Sequence, residues 1–179
     1  VVDELSQDPN ETVRAALAST VTSLLPVLEK QLTTDSLLPI FLAMLKDECP
    51  DVRLNIISHL LVVNETIGIG LLLTNLLPAI TELAQDGKWR VRLAIIEYVP
   101  KLANQLGVLF FNDELLNLCM LWLWDPVYAI REAAVDNLRA LTTVFGSAWA
   151  EREIVDRLLN NRVDLPSDRI DYLNFVIRI

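Results

Sequence analysis

The sequence predicts an all-α chain, an α-solenoid of about four and a half antiparallel helix pairs. Three observations carry this. Asp8, Asp47, Asp86 and Asp125 stand 39 residues apart (47−8, 86−47, 125−86). Each is followed, five and six residues on, by a β-branched residue and an arginine: Val13-Arg14, Val52-Arg53, Val91-Arg92 and Ile130-Arg131. Downstream of each arginine an apolar column recurs at steps of four and three, the spacing of one stripe on an α-helix.

Taken in order, Val1 to Gln7 read as the tail of a first helix, and the turn at Asp8 ends it. The second helix of that repeat carries Val13, Leu17, Val21, Leu24 and Leu28. The following repeats carry Val52, Ile56, Leu60, Val63 and Ile67, then Val91, Ile95, Val99, Leu102 and Leu106, then Ile130, Ala134, Leu138, Leu141 and Phe145. Upstream of each lies a first helix, marked by Leu37-Leu38-Pro39, Leu76-Leu77-Pro78 and Leu115-Leu116-Asn117. A proline is tolerated in a helix's first turn, where its missing N–H has no intrahelical acceptor, so Pro39 and Pro78 are expected there. Gly68, Gly107 and Gly146 follow the stripes, where a left-handed helix cap calls for glycine. A fifth turn is expected near Asp164, where Arg169-Ile170 stands in inverted order. The organisation expected is a single solenoid segment over 1–179, cut at both ends, because end repeats of a stack carry a polar outer face.

Composition narrows the function. The apolar fraction is 53%, too high for disorder, and no apolar run approaches a membrane span of about 20 residues. Net charge is −9, from 15 basic and 24 acidic residues, which argues against nucleic acid and suits a partner with a basic patch. Cys49 and Cys119 are expected as free thiols, pointing to a reducing compartment such as the cytoplasm. Two scattered cysteines and the single His59 make no zinc site, and no cofactor is implied. Catalysis finds no constellation. His59 precedes the stripe residue Leu60 with no nucleophile brought to it by spacing, and Glu97, Glu132 and Asp136 fall on the outer side of their helices. Gly68 and Gly70 lack the lysine and the strand context of a phosphate loop.

The Asp…Arg signature recurs in every repeat, as a structural ladder must. Asp47, Asp86 and Asp125 are expected to accept N–H groups opening the next helix or to pair with arginines of an adjacent repeat. Arg53, Arg92 and Arg131 should then be at least half buried. The aromatics instead break the repeat: Trp89 and Tyr128 occupy equivalent positions in consecutive turns, and Trp, Tyr and Arg are the residues most enriched at interface hot spots. The residues alone leave binding and packing open for this pair, whereas Trp122, Trp124 and Trp149 read as packing.

Three stretches are characteristic: Lys46-Asp47-Glu48-Cys49-Pro50-Asp51-Val52-Arg53, Lys88-Trp89-Arg90-Val91-Arg92 and Val127-Tyr128-Ala129-Ile130-Arg131. They closely resemble the scaffold (A, regulatory) subunit family of protein phosphatase 2A, built of tandem HEAT repeats. The resemblance is strong from about residue 8 to 150 and fades over 151–179, where the arginine is displaced. It implies a non-catalytic scaffold of the cytoplasm, and of the nucleus as a further expectation. Such a scaffold holds a serine/threonine phosphatase catalytic subunit together with a phosphatase regulatory subunit on the ridge formed by its turns. It implies Trp89 and Arg90 as catalytic-subunit contacts, with Tyr128 one turn later, although Trp124-Asp125-Pro126 departs from the family pattern there. No nucleic acid, membrane or small-molecule substrate is implied. The alternative is a HEAT-repeat adaptor or transport-type receptor for a basic partner, which the Lys-Trp-Arg-Val-Arg turn disfavours.

Overall fold

The structure is a computed structural model that describes residues 1–28, 31 and 33–160. Among these residues all regular structure is helical. The second helices, Glu11–Leu24, Pro50–Ile67, Trp89–Leu106 and Tyr128–Phe145, begin 39 residues apart (50−11, 89−50, 128−89). The expected turn at Asp164 lies outside the described residues.

The chain forms two compact units, Val1–Lys101 and Leu102–Ile179. In the first, helix Glu11–Leu24 packs on helix Pro50–Ile67, and Leu38–Leu45 packs on Pro50–Ile67. Val52, Ile56, Leu60, Val63 and Ile67 are all buried, so the whole second stripe enters the core. In the second unit, Leu116–Trp122 packs on Tyr128–Phe145, with Ile130, Ala134, Leu138 and Leu141 buried. Trp149 packs on Phe145, which in turn meets Phe111, with ring centroids 4.9 and 5.2 Å apart. The Trp149 indole N–H donates to Asn112 Oδ1, so the ring is buried without an orphaned donor. Trp122 is buried as well, while Trp124 is half-buried in the turn.

Four local expectations need correction. First, Leu24 is 46% exposed and Leu28 half-exposed. The helix tightens there into a 3-10 turn, Leu25–Val27, which carries Leu25 into the core in place of Leu24. Second, Pro39 and Pro78 do stand in the first turn of α-helices Leu38–Leu45 and Leu77–Leu83, but those helices do not open their helical runs. A π-helical turn precedes each, at Thr33–Leu37 and Leu72–Leu76. Proline is not its sole cause, since a π turn also forms at Glu151–Val155, and Leu115 interrupts the run where Asn117 replaces proline. Third, Gly68, Gly107 and Gly146 have φ of 85°, 76° and 91°, but ψ of 169°, 158° and 163°. That is the mirror-extended region open to glycine, not the left-handed helical one. Each glycine closes one helix and opens the next: Gly146 N–H donates to Thr142 O, and Gly146 O accepts from Ala150 N. Fourth, Trp89 and Tyr128 are the first residues of their helices rather than turn residues.

The glycine geometry sets a first prediction. A Cβ at Gly146 meets open space, so Gly146→Ala suffers from backbone conformation alone. It should lower stability by about 1–3 kcal/mol, read from the urea midpoint. An unchanged midpoint would show that the corner relaxes freely.

Candidate functional site

Each turn is built by its aspartate. The carboxylate accepts the backbone N–H two residues on: Asn10 N to Asp8 Oδ1, Cys49 N to Asp47 Oδ1, Lys88 N to Asp86 Oδ1 and Val127 N to Asp125 Oδ1, all at 2.7–2.8 Å. The repeat's own arginine then donates to the aspartate's backbone carbonyl, Arg14 to Asp8, Arg53 to Asp47, Arg92 to Asp86 and Arg131 to Asp125. Arg14 and Arg53 are buried; Arg92 and Arg131 are partly buried.

In the first unit the arginines also reach forward 33 residues. Arg14 grips Asp47 with two hydrogen bonds, Nε to Oδ2 at 2.7 Å and a terminal nitrogen to Oδ1 at 2.9 Å. Arg53 faces Asp86 less squarely, with one hydrogen bond of 3.2 Å and Nε 3.0 Å from Oδ2. Both pairs are largely withdrawn from water, with side-chain exposures between 9% and 14%. The Asp47 and Asp86 carboxylates thus act in two ways at once, turn-making and pairing.

Burial works against the charge on Asp47, yet the hydrogen bonds from Arg14 and from the Cys49 N–H outweigh it and hold the carboxyl below its ordinary range. Asp47 therefore adds stability that is present above the unfolded-state value of about 3.9 and is lost as pH falls through its lower folded value. The expected result is a steeper fall of the urea midpoint below about pH 4 in the native chain than in Asp47→Asn. Parallel pH profiles would remove Asp47 as a source of acid sensitivity.

Two clefts lie along the turns of the first unit. One, of about 480 Å³, is bordered by Asp8, Arg14, Asp47 and Glu48; the other, of about 180 Å³, by Asp47, Arg53, Glu82 and Asp86. Their charged groups are largely consumed in the pairs above and in the Lys46–Glu82 bridge of 2.8 Å. His59 is half-buried, and one expectation about it changes: Ser58 Oγ lies 3.0 Å from its Nδ1. This is no activated serine. The hydroxyl donates to Asn55 O at 2.7 Å, and Nδ1, 2.8 Å from the same carbonyl, must carry its own proton. Glu97, Glu132 and Asp136 are exposed. Cys49 and Cys119 are both free, and burial pushes the Cys119 thiol up, away from reactivity.

Among the described residues, two of the exposed large apolar residues are aromatic. In the first unit Trp89 is 36% exposed and Arg90 is exposed, with its guanidinium carbon 5.0 Å from the indole centroid. The stacked pair is held before any partner arrives, which lowers the ordering cost of binding. In the second unit Tyr128 is 65% exposed, and Arg131 lies 5.6 Å from its ring centroid. Sequence reasoning missed Leu121, 60% exposed at the end of the helix leading into the Tyr128 turn. Its signal was the repeat itself, since Ala43 and Glu82, 78 and 39 residues earlier, hold the same exposed place.

Comparison with known proteins gives the following. Residues 30–107 match the family model described as PPP2R1A-like HEAT repeat. Over 64 residues the chain is 60% identical to the beta isoform of the 65 kDa regulatory (A) subunit of serine/threonine-protein phosphatase 2A from Homo sapiens, covering 36% of this chain and 11% of that protein. Its Mus musculus counterpart is 60% identical over 59 residues, 33% of this chain and 10% of that protein. The matched stretch thus spans about a tenth of these relatives. Among solved structures, the crystal structure of Cex1p superposes with a TM-score of 0.80 over 99% of this chain and 34% of that one, at 17% identity, a likeness of fold alone. Among the described residues no helix is long and apolar enough to cross a membrane.

Proposed function

We propose, from a chain that resembles the phosphatase 2A scaffold subunit in its HEAT repeats, that it is a non-catalytic scaffold segment. It acts in the cytoplasm and contributes to holding a serine/threonine phosphatase catalytic subunit together with a phosphatase regulatory subunit. Trp89 and Arg90, and separately Tyr128, are the contacts we assign to the catalytic subunit. The observation that carries the reading is the preformed Trp89–Arg90 stack, exposed where the ladder residues beside it are withdrawn. An aromatic with a directed cation supplies apolar area and charge from few rotatable bonds. Asp47, Arg53, Asp86, Arg92, Asp125 and Arg131 are the supporting ladder rather than contacts.

The test is capture of purified phosphatase catalytic subunit by the full-length parent protein, native against Arg90→Ala. Weakened capture with an unchanged unfolding midpoint is expected. Equal capture by both, or none by either, overturns the assignment.

A further inference from the structure

We propose that Asp86-Gly87 is a site of spontaneous backbone modification, the conversion of an aspartyl to an isoaspartyl linkage, and that Arg53 restrains it. The inference does not depend on the partner reading.

Asp86 is the one aspartate in the sequence followed by glycine. The other turn aspartates are guarded by their neighbours. Pro9 and Pro126 have no N–H to act as nucleophile, and Glu48 places a side chain beside its nitrogen. Gly87 is exposed, and the space where a Cβ would stand is empty. Asp86 Oδ1 accepts the Lys88 N–H at 2.7 Å, so the side chain turns toward the main chain that follows it.

The chemistry closes without a co-reactant other than water. The Gly87 nitrogen attacks Asp86 Cγ, forming an N–Cγ bond. One carboxyl oxygen departs as water, taking the nitrogen's proton and one from solvent. Water then opens the five-membered imide at the Cα carbonyl and returns a proton to solvent. The chain now runs through Cβ and Cγ, with the carboxylate on Cα. One water is lost and one gained, and no electrons are transferred.

Arg53 opposes the first step. Its guanidinium sits 3.0 Å from Oδ2 and donates to Oδ1 at 3.2 Å, so the carboxylate must give up this contact to swing onto the Gly87 nitrogen. At 8% exposure the arginine is poorly screened by salt. Once the linkage shifts, the backbone gains a carbon, and Arg53 and the Lys88 N–H lose their acceptor three residues before Trp89. The aged chain then becomes a substrate for enzymes that methylate isoaspartyl carboxylates.

The purified full chain is incubated at neutral pH for weeks. Isoaspartate is counted by methyl transfer from S-adenosylmethionine and located by peptide mass spectrometry. We expect more at Asp86 than at Asp47, a several-fold rise in Arg53→Gln, and a several-fold fall in Gly87→Ala at an unchanged unfolding midpoint. Arg53→Gln can also loosen the turn, so Arg14→Gln serves as its control: it frees Asp47 in the same way beside no glycine, and its Asp47 should stay low. Equal levels at Asp86 and Asp47, an unchanged rate in Arg53→Gln, or an equal rise at Asp47 in Arg14→Gln would each overturn the proposal.

Discussion

Asp86→Ala is expected to lower the stability of the first unit by about 1–3 kcal/mol. Three losses combine. The Arg53 guanidinium, 8% exposed, keeps its charge and loses its counter-ion. The Lys88 N–H loses its acceptor. The backbone of the turn loses the side-chain bond that shapes it. Asp86→Asn separates these, because it can retain an acceptor for Lys88 while removing the charge. The unpaired arginine should be the largest of the three losses, so Arg53→Met combined with Asp86→Leu should recover part of the stability. Urea unfolding of the four proteins reads this directly. If the double variant is the least stable, the pair is worth more than the cost of burying it, and this weighting is wrong.

Trp89→Ala should weaken capture of the phosphatase catalytic subunit by about 1–3 kcal/mol, the range of a moderate hot spot. Its own fold should suffer less. Trp89 opens its helix, 36% exposed, and its indole face is covered in part by Arg90, itself a surface residue. Tyr128→Ala is the cleaner but weaker companion, since 65% of that residue is already in solvent. A large drop in the unfolding midpoint with unchanged capture would make Trp89 a packing residue, and the contact would have to be sought at Leu121 or elsewhere.

The helix pairs were legible because burial selects one face and the period of that face is fixed by helix geometry. All five stripe residues from Val52 to Ile67 enter the core as their spacing required. The arginine ladder was legible for a related reason: a bond repeated between neighbours must repeat in sequence, and Arg14–Asp47 and Arg53–Asp86 follow one rule. The backbone details were not. The π turns at Thr33–Leu37 and Leu72–Leu76 preserve the apolar pattern on either side, so residue spacing is blind to the wider hydrogen-bond register. The glycines demand a positive φ whichever ψ accompanies it, so Gly68, Gly107 and Gly146 announce a corner without announcing its shape. Surface exposure was harder still. Residue type alone does not separate Trp89 from Trp149; only their places in the repeat do, one opening a second helix at the surface and the other buried in a first helix.

The three-way grip of Arg14 carries a consequence for which cation can stand there. Its Nε and one terminal nitrogen meet the two oxygens of Asp47, and the other terminal nitrogen meets the Asp8 carbonyl. Every nitrogen of the guanidinium is therefore spoken for, in two directions within one plane. A lysine brings the same charge but a single nitrogen, and it cannot face a carboxylate edge-on while also reaching back to its own turn. Lysine at this place would preserve the electrostatics and forfeit the geometry. The flat guanidinium thus serves as a gauge block, setting both the gap and the tilt between one turn and the next.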